Sequence, residues 1–169
     1  ALGLGRNDSF HELADERLDT AIRRVVDVEG PVHFRVMAER LLDAAGVGRL
    51  GSRIRERISA RLDALERTEA LVQRGSFIGT AGQFRMPQLR DWSALPDKLR
   101  DLDYVSDNEL MFALFQAVFD EEGISAEQAM NDGIYRIGFI RLTNNARERL
   151  QAPLEALLPE DMLRHRESG

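Results

Sequence analysis

The feature that most constrains this chain is an ungapped internal repeat. Placing Gly138 under Gly46, a shift of 92 residues, lays Gly46-Val47-Gly48-Arg49-Leu50 over Gly138-Phe139-Ile140-Arg141-Leu142. The same shift lays Arg55-Glu56-Arg57-Ile58 over Arg147-Glu148-Arg149-Leu150, and Leu62-Asp63-Ala64-Leu65 over Leu154-Glu155-Ala156-Leu157. It also carries Leu18, Ile22 and Val26 onto Leu110, Leu114 and Val118, Val32 onto Ile124, and Leu42 onto Ile134. The common period of helices can align apolar stripes by chance. It does not also align the Gly-x-x-Arg-Leu and Arg-Glu-Arg identities at one constant offset. A tandem duplication of one small unit is expected.

Each copy reads as helix, helix, glycine turn, helix. In the first, Ser9-Phe10-His11-Glu12 has capping-box spacing, and Leu18, Ile22, Val25 and Val26 recur at a helical period. Glu29-Gly30-Pro31 ends that helix, because glycine and proline break the backbone pattern. A second helix is expected from about His33 to Ala45. A third starts at Ser52 as N-cap, with Ile54, Ile58, Leu62 and Leu65 inward. Gly46 and Gly138 fall where a helix must stop, and a left-handed backbone is expected at both. Val72 and Phe77, on either side of Gln73-Arg74-Gly75, predict a hairpin. The fold class expected is mainly α with a small β-hairpin wing, as tandem winged-helix-like (helix-turn-helix) units. The expected organisation is a tail at 1–8, a first unit at 9–82, a linker at 83–102 with Trp92 and Leu95 packed down, and a second unit at 103–169. In the second unit, Ser106-Asp107-Asn108-Glu109 repeats the capping-box spacing. Pro153 is expected to kink or end the third helix near Ala152, and Met162 to Arg166 to supply one wing strand. Phe112, Phe115 and Phe119 widen the apolar arc of the second unit's first helix, which suggests packing on more than one neighbour.

Charge is unevenly placed. The net charge of the 169-residue chain is −6, the wrong sign for a strong nucleic-acid binder. Residues 1–92 hold 15 Arg and 14 acids, net +1, while residues 93–169 hold 8 bases and 15 acids, net −7. Arg49, Arg53, Arg55, Arg57 and Arg61 cluster against one acid, Glu56, and local fields steer binding better than net charge does. The absence of cysteine excludes disulfides and thiolate metal sites and fits a cytoplasmic setting. No run of about 18 apolar residues is present, so no membrane contact is expected.

The segment Val28-Glu29-Gly30-Pro31-Val32-His33, followed by Gly46-x-x-Arg49-x-Gly51-Ser52-Arg53-Ile54, resembles a known family. It is the C-terminal domain of unknown function, number 3320, of long bacterial proteins related to superfamily-1 DNA and RNA helicases. Gly75-Ser76-Phe77 matches a Gly-x-Phe hairpin that follows the motif, and Gly138-Phe139-Ile140-Arg141 a second element of the family. The resemblance spans about residues 17–79 and, more loosely, 104–157. It implies a parent chain with helicase and nuclease-like domains upstream, of which this stretch is a part. No phosphate-cradling Gly-x-x-x-x-Gly-Lys-Ser/Thr loop occurs, so motor chemistry is not expected in this chain.

The candidate site lies on the third helix of the first unit. The recognition helix of a helix-turn-helix presents its N-terminal residues to base edges in the major groove. Counting about 100° per residue from the Ile54–Leu65 stripe, Ser52, Arg53 and Arg57 fall on the open face. Arginine there can meet phosphate or guanine; equally, Arg53 and Arg57 can serve as structural pins. For Arg49 and its mate Arg141, pinning the glycine turns Gly46 and Gly138 is the favoured role. Arg74 at the hairpin tip reaches a phosphate or stands in solvent. In the second unit Arg53 becomes Asn145. His33 has no Cys or His neighbours in sequence and reads as no metal ligand. Asp97, Asp101, Asp103, Asp107 and Glu109, with Asp120-Glu121-Glu122, read as a solvated acidic face lacking EF-hand spacing. No catalytic motif, cofactor or metal is expected. The leading expectation is a non-enzymatic accessory module that holds double-stranded or forked DNA; the alternative is protein–protein docking on the same scaffold without nucleic acid.

Overall fold

The computed structural model describes residues 2–5, 9–121 and 123–157. It divides into two compact units, Ala1–Met86 and Pro87–Gly169. The described residues are mainly α-helical, with seven α-helices and one three-stranded antiparallel sheet.

In the first unit, α1 (Asp15–Glu29) and α3 (Ser52–Arg67) bury the expected stripes, Leu18, Ile22, Val25 and Val26 on α1 and Ile54, Ile58, Leu62 and Leu65 on α3, and α2 (Phe34–Ala45) buries Met37 and Leu41 among others. Periodicity locates the helices because a core-facing side chain returns every 3.6 residues. Two starts differ from expectation. α1 begins at Asp15 behind Ala14, with no side-chain cap, and Ser9 instead closes a separate turn in which its carbonyl accepts the Glu12 N–H at 2.9 Å. α3 is capped by Gly51, whose carbonyl accepts the Arg55 N–H at 3.0 Å, so Ser52 is the first helical residue and not the N-cap.

The sheet has a third strand that the hairpin signal did not announce. β2 (Val72–Arg74) and β3 (Phe77–Gly79) pair antiparallel around a turn at Gly75, and β1 (Val32–His33) pairs with the far edge of β3. Val32 sits opposite Ile78 and both are buried, so this two-residue strand joins the sheet to the helical core. The His33 imidazole Nδ1 then caps α2 by accepting the Arg35 N–H at 3.0 Å. A short α4 (Ala81–Arg85) follows with a complete Thr80–Gln83 capping box, placing Phe84 in the core.

The second unit opens with three single-turn 3-10 helices, at Trp92–Ala94, Asp97–Leu99 and Leu102–Tyr104. The boundary after Met86 falls inside the stretch read as a linker, residues 83–102. Trp92, Leu99 and Leu102 are buried and Leu95 is half-buried. Then come α5 (Asp107–Asp120), α6 (Ala126–Arg136) and α7 (Asn144–Leu157). These begin 92 residues after α1, α2 and α3, with matching buried positions such as Leu18 and Leu110, Ile22 and Leu114, Ile58 and Leu150, and Leu62 and Leu154. Pro153 lies inside α7, which runs on past the expected stop near Ala152 to Leu157. A proline removes one backbone donor, and the helix continues beyond it, with Leu150 and Leu154 buried on either side. The expected wing strand at Met162 to Arg166 lies outside the described residues.

Ser106 caps α5 by accepting the Glu109 N–H at 3.2 Å. Glu109 does not complete a capping box. It is buried, and its carboxylate accepts from the backbone N–H of Arg90 at 2.9 Å, from the Arg90 guanidinium at 3.0 Å and from the Trp92 indole N–H at 3.0 Å. A buried carboxylate is tolerable only when its lone pairs are met this fully. The Arg90 guanidinium also lies 4.3 Å from the Trp92 ring centroid, and the bonds of both residues to Glu109 tie the 87–102 segment to α5.

Candidate functional site

The loop from Gly46 to Gly51 and the first turns of α3 carry the candidate residues. Gly46 ends α2 with φ 70° and ψ 27°, and Gly138 follows α6 with φ 89°. The next residue in each copy bonds back into the helix: the Val47 N–H to the Leu42 carbonyl at 2.9 Å, and the Phe139 N–H to the Ile134 carbonyl at 3.0 Å. This is Schellman-type closure, and the left-handed residue suits glycine because a Cβ would strain it.

The arginines split into two groups. Arg57, expected on the open face, is engaged inward. Its guanidinium donates to the backbone carbonyls of Phe10 (2.9 Å), His11 and Leu13, and to the Asp15 carboxylate at 3.3 Å. It therefore holds the leading turn of the unit against α3, which is the structural pin that stood beside nucleic-acid contact in the reading of its sequence. The helical count placed the Cα on the outer arc but could not show that a turn more than forty residues upstream comes back to cover it. Arg149, its repeat mate, does the same in the second unit, donating to the carbonyls of Leu102 (2.8 Å) and Val105 (2.6 Å) and to Asp107 at 2.8 Å. Phe10, Leu13 and Asp15 correspond to Leu102, Val105 and Asp107 at the same 92-residue offset. The second arginine of the retained Arg-Glu-Arg element thus makes one structural clamp twice, whereas the first differs: Arg55 lies over Phe34 and Arg147 pairs with Glu127. Arg61 pairs with both oxygens of Asp19, at 2.8 and 2.7 Å, and with Asp15 at 2.7 Å. Hydrogen bonding to Asp19, the largest influence, raises the Arg61 pKa above its usual value.

Arg49 and Arg53 behave oppositely. Both are exposed, and among the described residues neither makes a hydrogen bond or ion pair. Arg49 and Arg141 were expected to pin the glycine turns. Both stand exposed, without such a bond among the described residues, because the turns are closed by backbone bonds alone. Ser52 is exposed beside Arg53. Arg55 lies over the Phe34 ring, 5.4 Å from its centroid. Arg74 ends β2 and stands 4.6 Å from the Phe84 ring centroid while remaining exposed. In the second unit, the position of Arg53 is taken by Asn145, whose amide donates to Asp103.

Several of the acidic residues of the second unit are individually occupied. Asp97 pairs with Arg100 at 2.6 Å, Asp101 accepts from the Asp103 N–H at 2.9 Å, and Asp120 pairs with Arg136 at 2.7 Å. Among the described residues, no group of three or more His, Asp or Glu is arranged to hold a metal ion. Among them too, no helix is long and apolar enough to cross a membrane.

No curated protein and no solved structure matches the chain significantly. Residues 8–56, from the leading turn through α1, β1 and α2 to the first turns of α3, match the family model described as protein of unknown function (DUF3320).

Proposed function

We propose that the first unit is a winged-helix-like, nucleic-acid-binding module, the accessory C-terminal part of a bacterial helicase-related protein, working in the cytoplasm beside helicase and nuclease-like domains of the same parent chain. Its ligand is double-stranded or forked DNA. The second unit is a helix-turn-helix-like copy without the same contact surface. The element order α1-β1-α2-α3-β2-β3, with sheet order β1-β3-β2, supports the winged reading, since a hairpin follows the third helix and is anchored by a strand between the first two.

The observation that carries the reading is Arg53. It is exposed in the first turn of α3 and has no ion-pair partner among the described residues, whereas nearby Arg57 and Arg61 are tied to the fold. A recognition helix contacts DNA through its first turns, and its free N–H groups and dipole favour phosphate. Arg49 stands just ahead of that turn, and Arg74 lies on the wing.

A salt titration of binding to a short duplex tests this, using the full chain, Arg53→Ala and the Arg49→Ala/Arg53→Ala pair. Affinity for the duplex is expected to fall with salt, and each substitution to make the log–log slope shallower by roughly one unit per lost phosphate contact. If the folded double variant binds duplex as tightly as the unaltered chain at every salt concentration, this helix does not bind DNA.

A further inference from the structure

We infer that the outer face of the first unit's sheet holds the unpaired strand of forked DNA, with bases stacked on Phe77 and His33 and phosphates met by Arg74 and Arg55. The inference rests on the DNA-binding reading above and names the strand that this face takes. Residues directly opposite each other on antiparallel strands put their side chains on one face. His33, Phe77 and Arg74 form such a row across β1, β3 and β2. The adjoining row, Val32, Ile78 and Gln73, faces the helices: Val32 and Ile78 are buried, and Gln73 donates to Asp63 and Glu66 of α3. Side chains alternate along a strand, so the His33–Phe77–Arg74 row turns away from the core. His33 and Phe77 are half-buried and Arg74 is exposed. The two rings lie with centroids 5.2 Å apart and planes at 78°, an edge-to-face pair that makes one aromatic surface.

Cations flank this surface. The Arg74 guanidinium is 4.6 Å from the Phe84 ring centroid, and the Arg55 guanidinium 5.4 Å from that of Phe34. Phe34 follows His33, and its N–H donates to the Ser76 carbonyl in the hairpin turn at 2.8 Å, which brings Arg55 beside the tip of the sheet. Among the described residues neither guanidinium has a hydrogen bond or ion pair, so both charges are free to meet phosphate. Residues 70–86, which make β2, β3 and α4, hold Arg74 and Arg85 and no acid. On the first two turns of α3 the one acid, Glu56, stands against the unpaired Arg53 and Arg55. Glu39 of α2 is paired with Arg35 at 2.7 Å. Rings between free arginines are the chemistry of a single-strand site, since every base has a π-face and every nucleotide a phosphate. Charge complementarity selects this occupant over an apolar peptide, which would bury both guanidiniums without an acceptor.

The second unit shows that the fold does not require these residues. At the 92-residue offset His33 and Phe34 become Ser125 and Ala126, and Arg55 becomes Arg147. Ser125 caps α6 by accepting the Gln128 N–H at 3.2 Å, as the His33 ring caps α2 by accepting that of Arg35 at 3.0 Å. A hydroxyl therefore serves the cap, and an imidazole is not needed for it. Arg147 is paired with Glu127 of α6, so the copy that lacks these two rings also lacks the free cation beside them.

The test measures fluorescence anisotropy of labelled DNA with the full chain. The probes are a blunt duplex, the same duplex with a single-stranded tail of about ten nucleotides, and the tailed duplex with abasic sites in place of the tail bases. The tail is expected to tighten binding about tenfold or more, and the abasic tail, which keeps the phosphates, to lose most of that gain. Phe77→Leu keeps an apolar side chain in the sheet but no ring, and His33→Ser keeps a cap acceptor as Ser125 does. Each is expected to weaken binding of the tailed duplex about fivefold or more and to leave the blunt duplex unchanged. Arg74→Ala is expected to weaken both tailed probes, abasic included, with a salt slope shallower by roughly one unit or less. Arg53→Ala is expected to weaken blunt and tailed duplex alike. Should Phe77→Leu fail to fold, His33→Ser and the abasic tail decide. No gain from the tail, a gain that the abasic tail keeps in full, or a gain that the folded ring variants keep overturns the inference and leaves duplex binding through Arg53 standing. Tail binding that needs the bases and Phe77, with no binding of the blunt duplex, supports the inference and removes the duplex reading instead.

Discussion

Arg57→Ala is expected to cost folding stability and leave duplex affinity per folded molecule unchanged, whereas Arg53→Ala does the reverse. Arg57 serves three backbone carbonyls and one carboxylate. Phe10 and Leu13 have buried side chains, so their carbonyls lie in a packed turn, and each loses a charged donor. A carbonyl left unsatisfied in such a place costs about 1–3 kcal/mol. Water can refill the more exposed His11 carbonyl. Asp15 is half-exposed, which limits that ion pair to about 1 kcal/mol or less. The loss is therefore about 3 kcal/mol, a large share of the roughly 5–15 kcal/mol that holds a domain together, and it corresponds to a fall in Tm of about 10 °C or more for a unit of this size. Arg149→Ala breaks the equivalent clamp in the second unit and is expected to lose a similar amount. Urea and thermal unfolding followed by circular dichroism measure both, with Arg53→Ala within about 0.5 kcal/mol of the unaltered chain. If Arg57→Ala melts like the unaltered chain and yet weakens duplex binding, the clamp reading fails and Arg57 returns to the interface.

Glu109→Ala leaves the Arg90 guanidinium and the buried Trp92 indole N–H without their acceptor, and it is expected to destabilise by about 3 kcal/mol in chemical denaturation; a loss below about 1 kcal/mol would mean that water replaces the carboxylate freely. Gly138→Ala is expected to cost more than Gly75→Ala, where an added Cβ meets nothing within 4 Å. Both impose a left-handed backbone on a residue with a Cβ, at about 1–2 kcal/mol. At Gly138 the new Cβ would also come within 2.6 Å of the Ser93 backbone nitrogen, so the chain there must shift. Equal melting curves for the two variants would show that this crowding relaxes at no cost. Arg61→Ala removes a bidentate but partly exposed pair with Asp19 and is expected to cost only about 1 kcal/mol, with greater loss at low salt than at high salt.

Several features were legible because they depend on near neighbours in the chain. The Gly-x-x-Arg-Leu identities marked the two helix ends, since the left-handed turn after each second helix is a local backbone requirement. The stripes of α1, α3, α5 and α7 placed Leu18, Ile58, Leu110 and Leu150 in the core by period alone. The capping-box spacing misplaced the start of α1. At Ser9 the chain makes an isolated turn instead, closed by the Ser9 carbonyl and the Glu12 N–H. The strand Val32–His33 had no signal of its own, because two residues carry no alternation. Its pairing with Phe77 and Ile78 is a contact more than forty residues distant in sequence.

The candidate site divides along the same line. The repeat by itself determined that the Arg-Glu-Arg element recurs at the same place in both copies, and its second arginine does the same work in each. The nature of that work, a guanidinium reaching back to the carbonyls of Phe10 and Leu13 or of Leu102 and Val105, required the tertiary structure. Helical period sets the direction in which Arg57 leaves its helix; it carries no information about which distant backbone arrives there. The phenylalanines of α5 show the converse. Sequence determined that Phe112, Phe115 and Phe119 share one face. Only the packed unit decided that this face is the outer one, because Leu110, Ala113, Leu114 and Ala117 already fill the side turned toward α6 and α7. Apolar burial is non-directional, and periodicity describes one helix at a time. The choice between two apolar faces of α5 is made by the shape and volume of the helices packed beside it.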